Sequence, residues 1–374
     1  MAGIYIHIPY CKQACHYCDF HFSTNLNTKS DLIDAILKEI DLQKDYLKGE
    51  IVETIYFGGG TPSILSKQEL DSILNRVSKE FSISENPEIT LESNPDDLSQ
   101  SKLKAMKSSS INRLSIGIQT FDDKILTYFN RAHHSKMALD AVTTAQQLGF
   151  KNISIDLIFG VPNQTLNVLK NDLEQALKLN TPHISIYGLT IEENTVFGKW
   201  EKQNKLTTID EDLAAEHLEL IMDTLAAAGY NQYEISNFSL EGFESKHNSS
   251  YWHGKKYLGL GPGAHSFNGI ERQFNYAHNI KYIKKLQDNL LPSTLEKLSS
   301  EDQINETILT QIRLKEGINC EHLKNSHHFD LIDEKEDSIN EFLQMDLLKI
   351  SGNYLRLTSK GKLLADFITE KLII

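Results

Sequence analysis

From the N-terminus onward, short runs rich in β-branched residues alternate with longer stretches of helical period. The pattern predicts strands at 3–8, 53–58, 88–93, 113–118, 152–159 and 183–189. Between and after them it predicts helices at 28–47, 66–81, 99–108, near 122–129 and 135–148, at 165–179 and at 210–229. Six successive βα units imply a parallel sheet joined by right-handed crossovers.

The two faces of these strands differ in character. One parity is aliphatic, as in Ile4, Ile6 and Ile8, in Leu114, Ile116 and Ile118, and in Ile153, Ile155 and Leu157, and must pack under the helices. The other reads Tyr5, His7; Thr90, Glu92, Asn94; Ser115, Gly117, Gln119; Ser154, Asp156; Ser185, Tyr187. A complete eight-stranded barrel fills its interior with bulky aliphatics, and a doubly wound sheet is apolar on both faces. A polar inner row therefore predicts an α/β fold built as an incomplete (β/α)6 barrel whose lumen holds something large and polar. Sites in parallel α/β proteins lie at the C-terminal strand ends. Cys11, Gly58 to Gly60, Glu92, Asn94, Gln119, Asp156 and Tyr187 all fall there.

Three regions follow: the partial barrel over 1–229, a sheet extension over 230–295, and a small helical domain over 296–374. The middle region, rich in aromatics, Gly and His, is read as extending the sheet and edging the cavity, with residues 247–252 in a loop outside the barrel core where a large planar ligand could reach them. The last ends in strand-like segments about Ser351-Gly352-Asn353 and a helix at 359–372, a winged-helix-like pattern. Winged helices suggest DNA, but residues 301–374 carry 9 Lys and Arg against 14 Asp and Glu. With a net charge of −13 for the chain, nucleic acid is excluded as a general partner, and the domain is expected to dock or cover. No run of 18 apolar residues predicts a transmembrane helix. Met1 leads straight into a strand, with no room for a secretory signal, so the expected location is the cytoplasm, where clustered thiols stay reduced.

Three of the four cysteines, Cys11, Cys15 and Cys18, lie within eight positions. Thiolates suit iron or zinc. A structural zinc knot would need a fourth ligand and usually comes as two separated pairs. Three cysteines leave one coordination position open, which fits a cubane cluster better. Cys320 stands alone as a small core or surface residue. Gly58-Gly59-Gly60-Thr61-Pro62 closes the second strand with a turn whose backbone can approach a ligand closely. It lacks the Lys-Ser/Thr of a phosphate-binding loop. The carboxylates of Glu92 and Asp156 suit hydroxyl or amino groups, unless they are merely solvated strand ends. Gln119 and Arg131 suit a carboxylate or an adenine edge.

The Cys-x3-Cys-x2-Cys run, with Tyr17 before its last cysteine, resembles the signature of radical S-adenosylmethionine (SAM) proteins. Tyr5-Ile6-His7-Ile8-Pro9, Phe57 to Ser63, Leu114 to Gln119, Asp156 to Pro162 and Tyr233 to Phe238 resemble the oxygen-independent coproporphyrinogen III oxidase family, especially its HemW branch. That resemblance implies a [4Fe-4S] cluster on Cys11, Cys15 and Cys18. It also implies SAM contacts from Tyr5, Tyr17, Gly59, Gly60, Thr61, Glu92, Gln119, Arg131 and Asp156. His247-Asn248-Ser249-Ser250-Tyr251-Trp252 matches the HNxxYW motif associated with heme in that branch, so His247, Tyr251 and Trp252 become expected heme contacts, with His265 as a rival ligand.

The oxidase branch carries another cysteine two positions after the third ligand, where this chain has Phe20, and an N-terminal extension that is missing here. The resemblance therefore implies a heme chaperone serving heme-acceptor proteins, membrane-associated respiratory ones among them, with a cellular electron donor and a location that includes the inner face of the membrane. The alternative it implies is an oxidase, in which a 5′-deoxyadenosyl radical begins the decarboxylation of coproporphyrinogen propionates to vinyls.

Overall fold

The computed structural model describes residues 2–374. The parallel strands β1 (Ala2–Ile8), β2 (Val52–Gly59), β3 (Ile83–Ser93), β4 (Arg113–Gln119), β5 (Asn152–Phe159) and β6 (His183–Gly188) lie side by side in sequence order. Helices cross between them at Lys29–Leu42, Lys67–Glu80, Gln100–Ser108, Ser135–Gln147 and Leu166–Lys178. Their apolar stripes recur at helical spacing, as in Leu70, Ile73, Leu74 and Val77, and close over Ile4, Ile6, Ile116 and Ile155 in one core. The aliphatic row is therefore outside the barrel and the polar row inside.

Residues 230–290 divide between the two edges. Next to β6 the antiparallel strands β7 (Asn231–Glu234) and β8 (Asn237–Ser239) are added. Next to β1 come β9 (Tyr257–Leu260), parallel to it, then β10 (His265–Phe267), β11 (Glu271–Asn275) and β12 (Ser293–Lys297), all antiparallel to their neighbours. The twelve strands run in one row from β12 to β7, so the barrel stays open. A buried carboxylate fastens the added strands: Glu39 accepts from Gly261 N–H (2.8 Å), Asn275 Nδ2 (2.6 Å) and Tyr282 Oη (2.5 Å). Burial pushes its pKa up to about 7.

A second core, formed by Ile304, Ile308, Leu323, Phe342, Leu355 and Ile368 among others, gathers the C-terminal helices about a three-stranded sheet of β13 (Ile318–Asn319), β14 (Leu348–Ser351) and β15 (Tyr354–Leu357). Cys320 packs partly buried against this core.

Several elements depart from the expected ones. The first helix ends at Leu42 rather than 47, because residues 43–49 turn tightly through Lys48 and Gly49, both at positive φ. A short helix, Val196–Lys202, was not expected. The largest departure is the segment expected in loops outside the barrel, reachable by a planar ligand. Lys246–Trp252 is instead a helix docked at the N-terminal end of the strands, where Glu88 accepts the N–H groups of Lys246 (3.2 Å) and His247 (3.1 Å). Those two groups are among the first-turn donors that no residue of the helix itself can satisfy.

Candidate functional site

The loop after β1 carries the cysteines and is gripped by the turn at 128–131. Gln13 Nε2 donates to the backbone and side-chain oxygens of Asn130, both at 2.9 Å, and Asn130 Nδ2 returns a bond to Ala14 O at 2.7 Å. His16 is diverted from the cysteines. Its Nδ1 bonds Tyr128 O at 2.9 Å, and its ring meets Trp200 edge-on at 5.0 Å. Tyr17 packs edge-on against Phe129 at 4.8 Å.

Cys11, Cys15 and Cys18 line one pocket of about 600 Å³ at the C-terminal ends of the strands. Tyr17, Gly59, Gly60 and Thr61 line the same pocket, as do Glu92, Gln119, Arg131 and Asp156. Thr61 Oγ1 donates to Cys11 Sγ at 3.3 Å, and Arg131 Nη1 donates to Cys15 Sγ at 3.4 Å. Arg131 Nη2 also holds Asn94 Oδ1 (2.7 Å) and Gly117 O (2.8 Å), while its Nε is buried without an acceptor. Burial pushes the Cys11 thiol up to about 11, a protonated state that a bound metal would have to reverse.

Two glycines of the turn answer different crowdings. Gly59 sits at φ +107°, where a Cβ would meet the His7 ring at 2.6 Å. A Cβ at Gly60 would meet the backbone of Tyr10 and Ile8 at 2.8 and 2.9 Å. Gln119 adopts φ 70°, a left-handed conformation costing about 1–2 kcal/mol in a non-glycine residue, at a register shift that turns its side chain toward the pocket.

The two carboxylates are held differently. Glu92 accepts from Tyr56 Oη (2.8 Å) and Gly59 N–H (3.2 Å), and burial raises its pKa to about 7. Asp156 accepts from Ser115 Oγ at 3.1 and 3.0 Å, and burial raises its pKa as well. A cation entering the pocket would reverse both shifts.

Tyr5 does not reach this pocket. It lines a second cavity of about 710 Å³ and donates toward His7 Nδ1 at 3.2 Å. Tyr251 and Trp252 line that second cavity too. His247 lines neither. It is 1% exposed, stacked at 4.9 Å on Tyr56, with Nδ1 on Thr54 Oγ1 (2.7 Å) and Nε2 on Tyr251 Oη (2.8 Å). Burial lowers its pKa to about 3. The expected trio is thus split, with its histidine locked beneath the barrel and its aromatics facing a cavity.

Asn94 and Ser115, named in the polar inner row, line the site as well, and so does Tyr56, which was not singled out. Tyr56 could have been found from the parity of β2, since it alternates inward with Gly58. Arg113 is a further surprise. It is 1% exposed inside the lumen, its Nε and Nη1 lack partners, and its charge offsets Glu92 and Asp156.

The Radical SAM superfamily profile matches residues 5–176, and the HemN C-terminal domain profile matches 298–364. "Heme chaperone HemW" of Lactococcus lactis subsp. lactis is 36% identical over 99% of this chain and 97% of that protein. Its counterpart in Bacillus subtilis is 34% identical over 98% and 97%. Among solved structures, the radical SAM enzyme coproporphyrinogen III oxidase (HemN) of Escherichia coli superposes with a TM-score of 0.85. That superposition covers 100% of this chain and 90% of the other at 20% identity, a likeness of fold. With the sequence likeness running almost end to end in both partners, the chain belongs to the HemW family of the radical SAM superfamily.

Proposed function

We propose that this protein binds heme and delivers it to heme-acceptor proteins, and that its partial barrel holds a [4Fe-4S] cluster on Cys11, Cys15 and Cys18 with SAM beside it. The observation that carries the heme reading is the near full-length likeness to proteins named heme chaperones. The acceptors are heme proteins of the cell, membrane-associated respiratory ones included, met at the inner face of the membrane. Among the described residues no helix is long and apolar enough to cross a membrane.

The pocket's donor set fits the cluster and SAM. Three free thiols share one wall, and the orphaned Nε of the buried Arg131 guanidinium lies beside them. When bound, the cluster and SAM supply one-electron chemistry. Arg131 offsets thiolate charge, Glu92 and Asp156 accept from ammonium and hydroxyl groups, and Gln119, held by its strained backbone, presents an amide edge. In this division of labour residues 1–229 form the radical SAM part, 230–295 the heme-facing part and 296–374 the docking part.

The retained pocket supports a second reading, oxidative decarboxylation of coproporphyrinogen III. An anaerobic assay of cluster-reconstituted protein with SAM, a reductant and coproporphyrinogen III separates the two. No vinyl product is expected, since Phe20 occupies the position of the oxidases' additional cysteine; robust turnover would overturn the chaperone reading.

A further inference from the structure

The cavity of about 710 Å³ beside the cysteine pocket is large enough for a porphyrin and has walls suited to one. Phe20, Tyr251, Trp252, Tyr257 and Phe267 supply flat apolar surface. Phe20, 71% exposed, adds to this apolar wall. The buried Nε1–H of Trp252 has no acceptor, and Lys255 stands exposed at the rim with no carboxylate paired to it. The Lys255 ammonium suits a carboxylate of a ligand whose body is apolar.

Several histidines line the same cavity, but among the described residues no three metal-binding side chains converge on one ion. Each imidazole must therefore be judged as a single ligand. His7 has both nitrogens engaged, by Tyr5 Oη and His21 O. His21 is tied through Nε2 to Asn279 Oδ1 at 2.8 Å. His322 is tied to Ser326, and His253 and His327 sit at the ends of short helices. His265, like His253 and His327, has no hydrogen-bond partner on either ring nitrogen, but it alone of the three is carried on a strand of the sheet, exposed into the cavity from β10 two residues before Phe267. Partial burial and the nearby Arg272 lower its pKa, which favours the neutral imidazole that binds iron.

Resting on the heme reading above, we propose that heme occupies this second cavity with His265 as its axial ligand, and that His247 is a positioning residue. His247 holds the helix Lys246–Trp252 in place through Thr54, so that Tyr251 and Trp252 face the cavity.

The test is a hemin titration of the full-length protein, followed at the Soret band, for the parent, His265→Ala, His247→Ala and Lys255→Glu. For His265→Ala we expect at least ~10-fold weaker binding or a displaced band, restored by free imidazole, with the parent's melting temperature and cluster iron retained. For His247→Ala we expect a lower melting temperature and weaker binding, but the parent's band position for the heme that does bind. Lys255→Glu changes an exposed side chain without disturbing the core, so it reports on the cavity even if His265→Ala fails to fold; weaker binding is expected. A folded His265→Ala protein that titrates like the parent overturns the ligand assignment, and a Lys255→Glu protein that titrates like the parent overturns the cavity, whether or not His265→Ala folds. A parent that binds no heme overturns the heme reading itself.

Discussion

Replacing His247 by Ala removes a ring that is 1% exposed and uses both nitrogens. The Thr54 hydroxyl, 3% exposed, is left without its 2.7 Å partner, at a cost of about 1–3 kcal/mol for an unsatisfied buried group. Tyr251 as a residue is only partly buried, so the loss of its 2.8 Å bond costs less. The space vacated against Tyr56 and Tyr5 adds about 2 kcal/mol. The sum is ~3–5 kcal/mol, which at roughly 2 °C per kcal/mol lowers the melting temperature by about 6–10 °C. Differential scanning calorimetry of the metal-free chain measures it. Acid provides a second reading. With its folded pKa near 3 against an ordinary 6.5, His247 stays neutral while the unfolded chain takes up its proton, so stability falls as pH drops from about 6.5 toward 3. The Ala variant loses less over that window than the parent. A melting temperature within about 1 °C of the parent at pH 7 would refute the locked histidine and restore it as a free ligand.

Three further outcomes follow from the geometry. Replacing Cys11, Cys15 or Cys18 singly by Ala abolishes the cluster on anaerobic reconstitution, whereas the parent takes up about four iron per chain; unchanged iron in the Cys11 variant would show the ligands to be wrong. Glu92→Gln weakens SAM binding by about 10–100-fold with the circular dichroism spectrum unchanged. Because Glu92 titrates near 7 in the empty pocket and only its carboxylate attracts an ammonium, the parent's SAM affinity rises with pH through about 7 and the variant's does not. Glu39→Ala strands the buried donors of Gly261, Asn275 and Tyr282 and destabilises the chain by about 3 kcal/mol in urea unfolding, while Glu39→Gln, which keeps an acceptor, costs less.

The barrel could be read from the sequence because strand parity and helical period are local signals. Ile4, Ile6 and Ile8 alternate with Tyr5 and His7 whatever the rest of the chain does. The cysteine pocket was legible for the same reason, since its residues sit at the ends of strands whose order follows the sequence. The helix carrying His247 was not. Its place depends on Thr54, 193 residues away, and on Glu88, 159 residues away, and seven residues of polar and aromatic character give no local sign of burial. Arg113 was missed similarly, because a charged residue opening a strand reads as solvated until the lumen closes around it. Gly59 shows the converse limit. Its φ of +107° and the His7 ring make it a backbone requirement, so substitution there strains the fold and is a poor probe of ligand binding.

Delivery of heme is the central claim, and a transfer measurement tests it most directly. The full-length protein, loaded with hemin and freed of excess, is mixed with membranes from heme-starved cells, and heme in the membrane haemoproteins is followed by difference spectroscopy. Heme incorporated faster from the loaded protein than from the same concentration of free hemin is the predicted result; heme that stays on the protein, or arrives no faster than from free hemin, would contradict it.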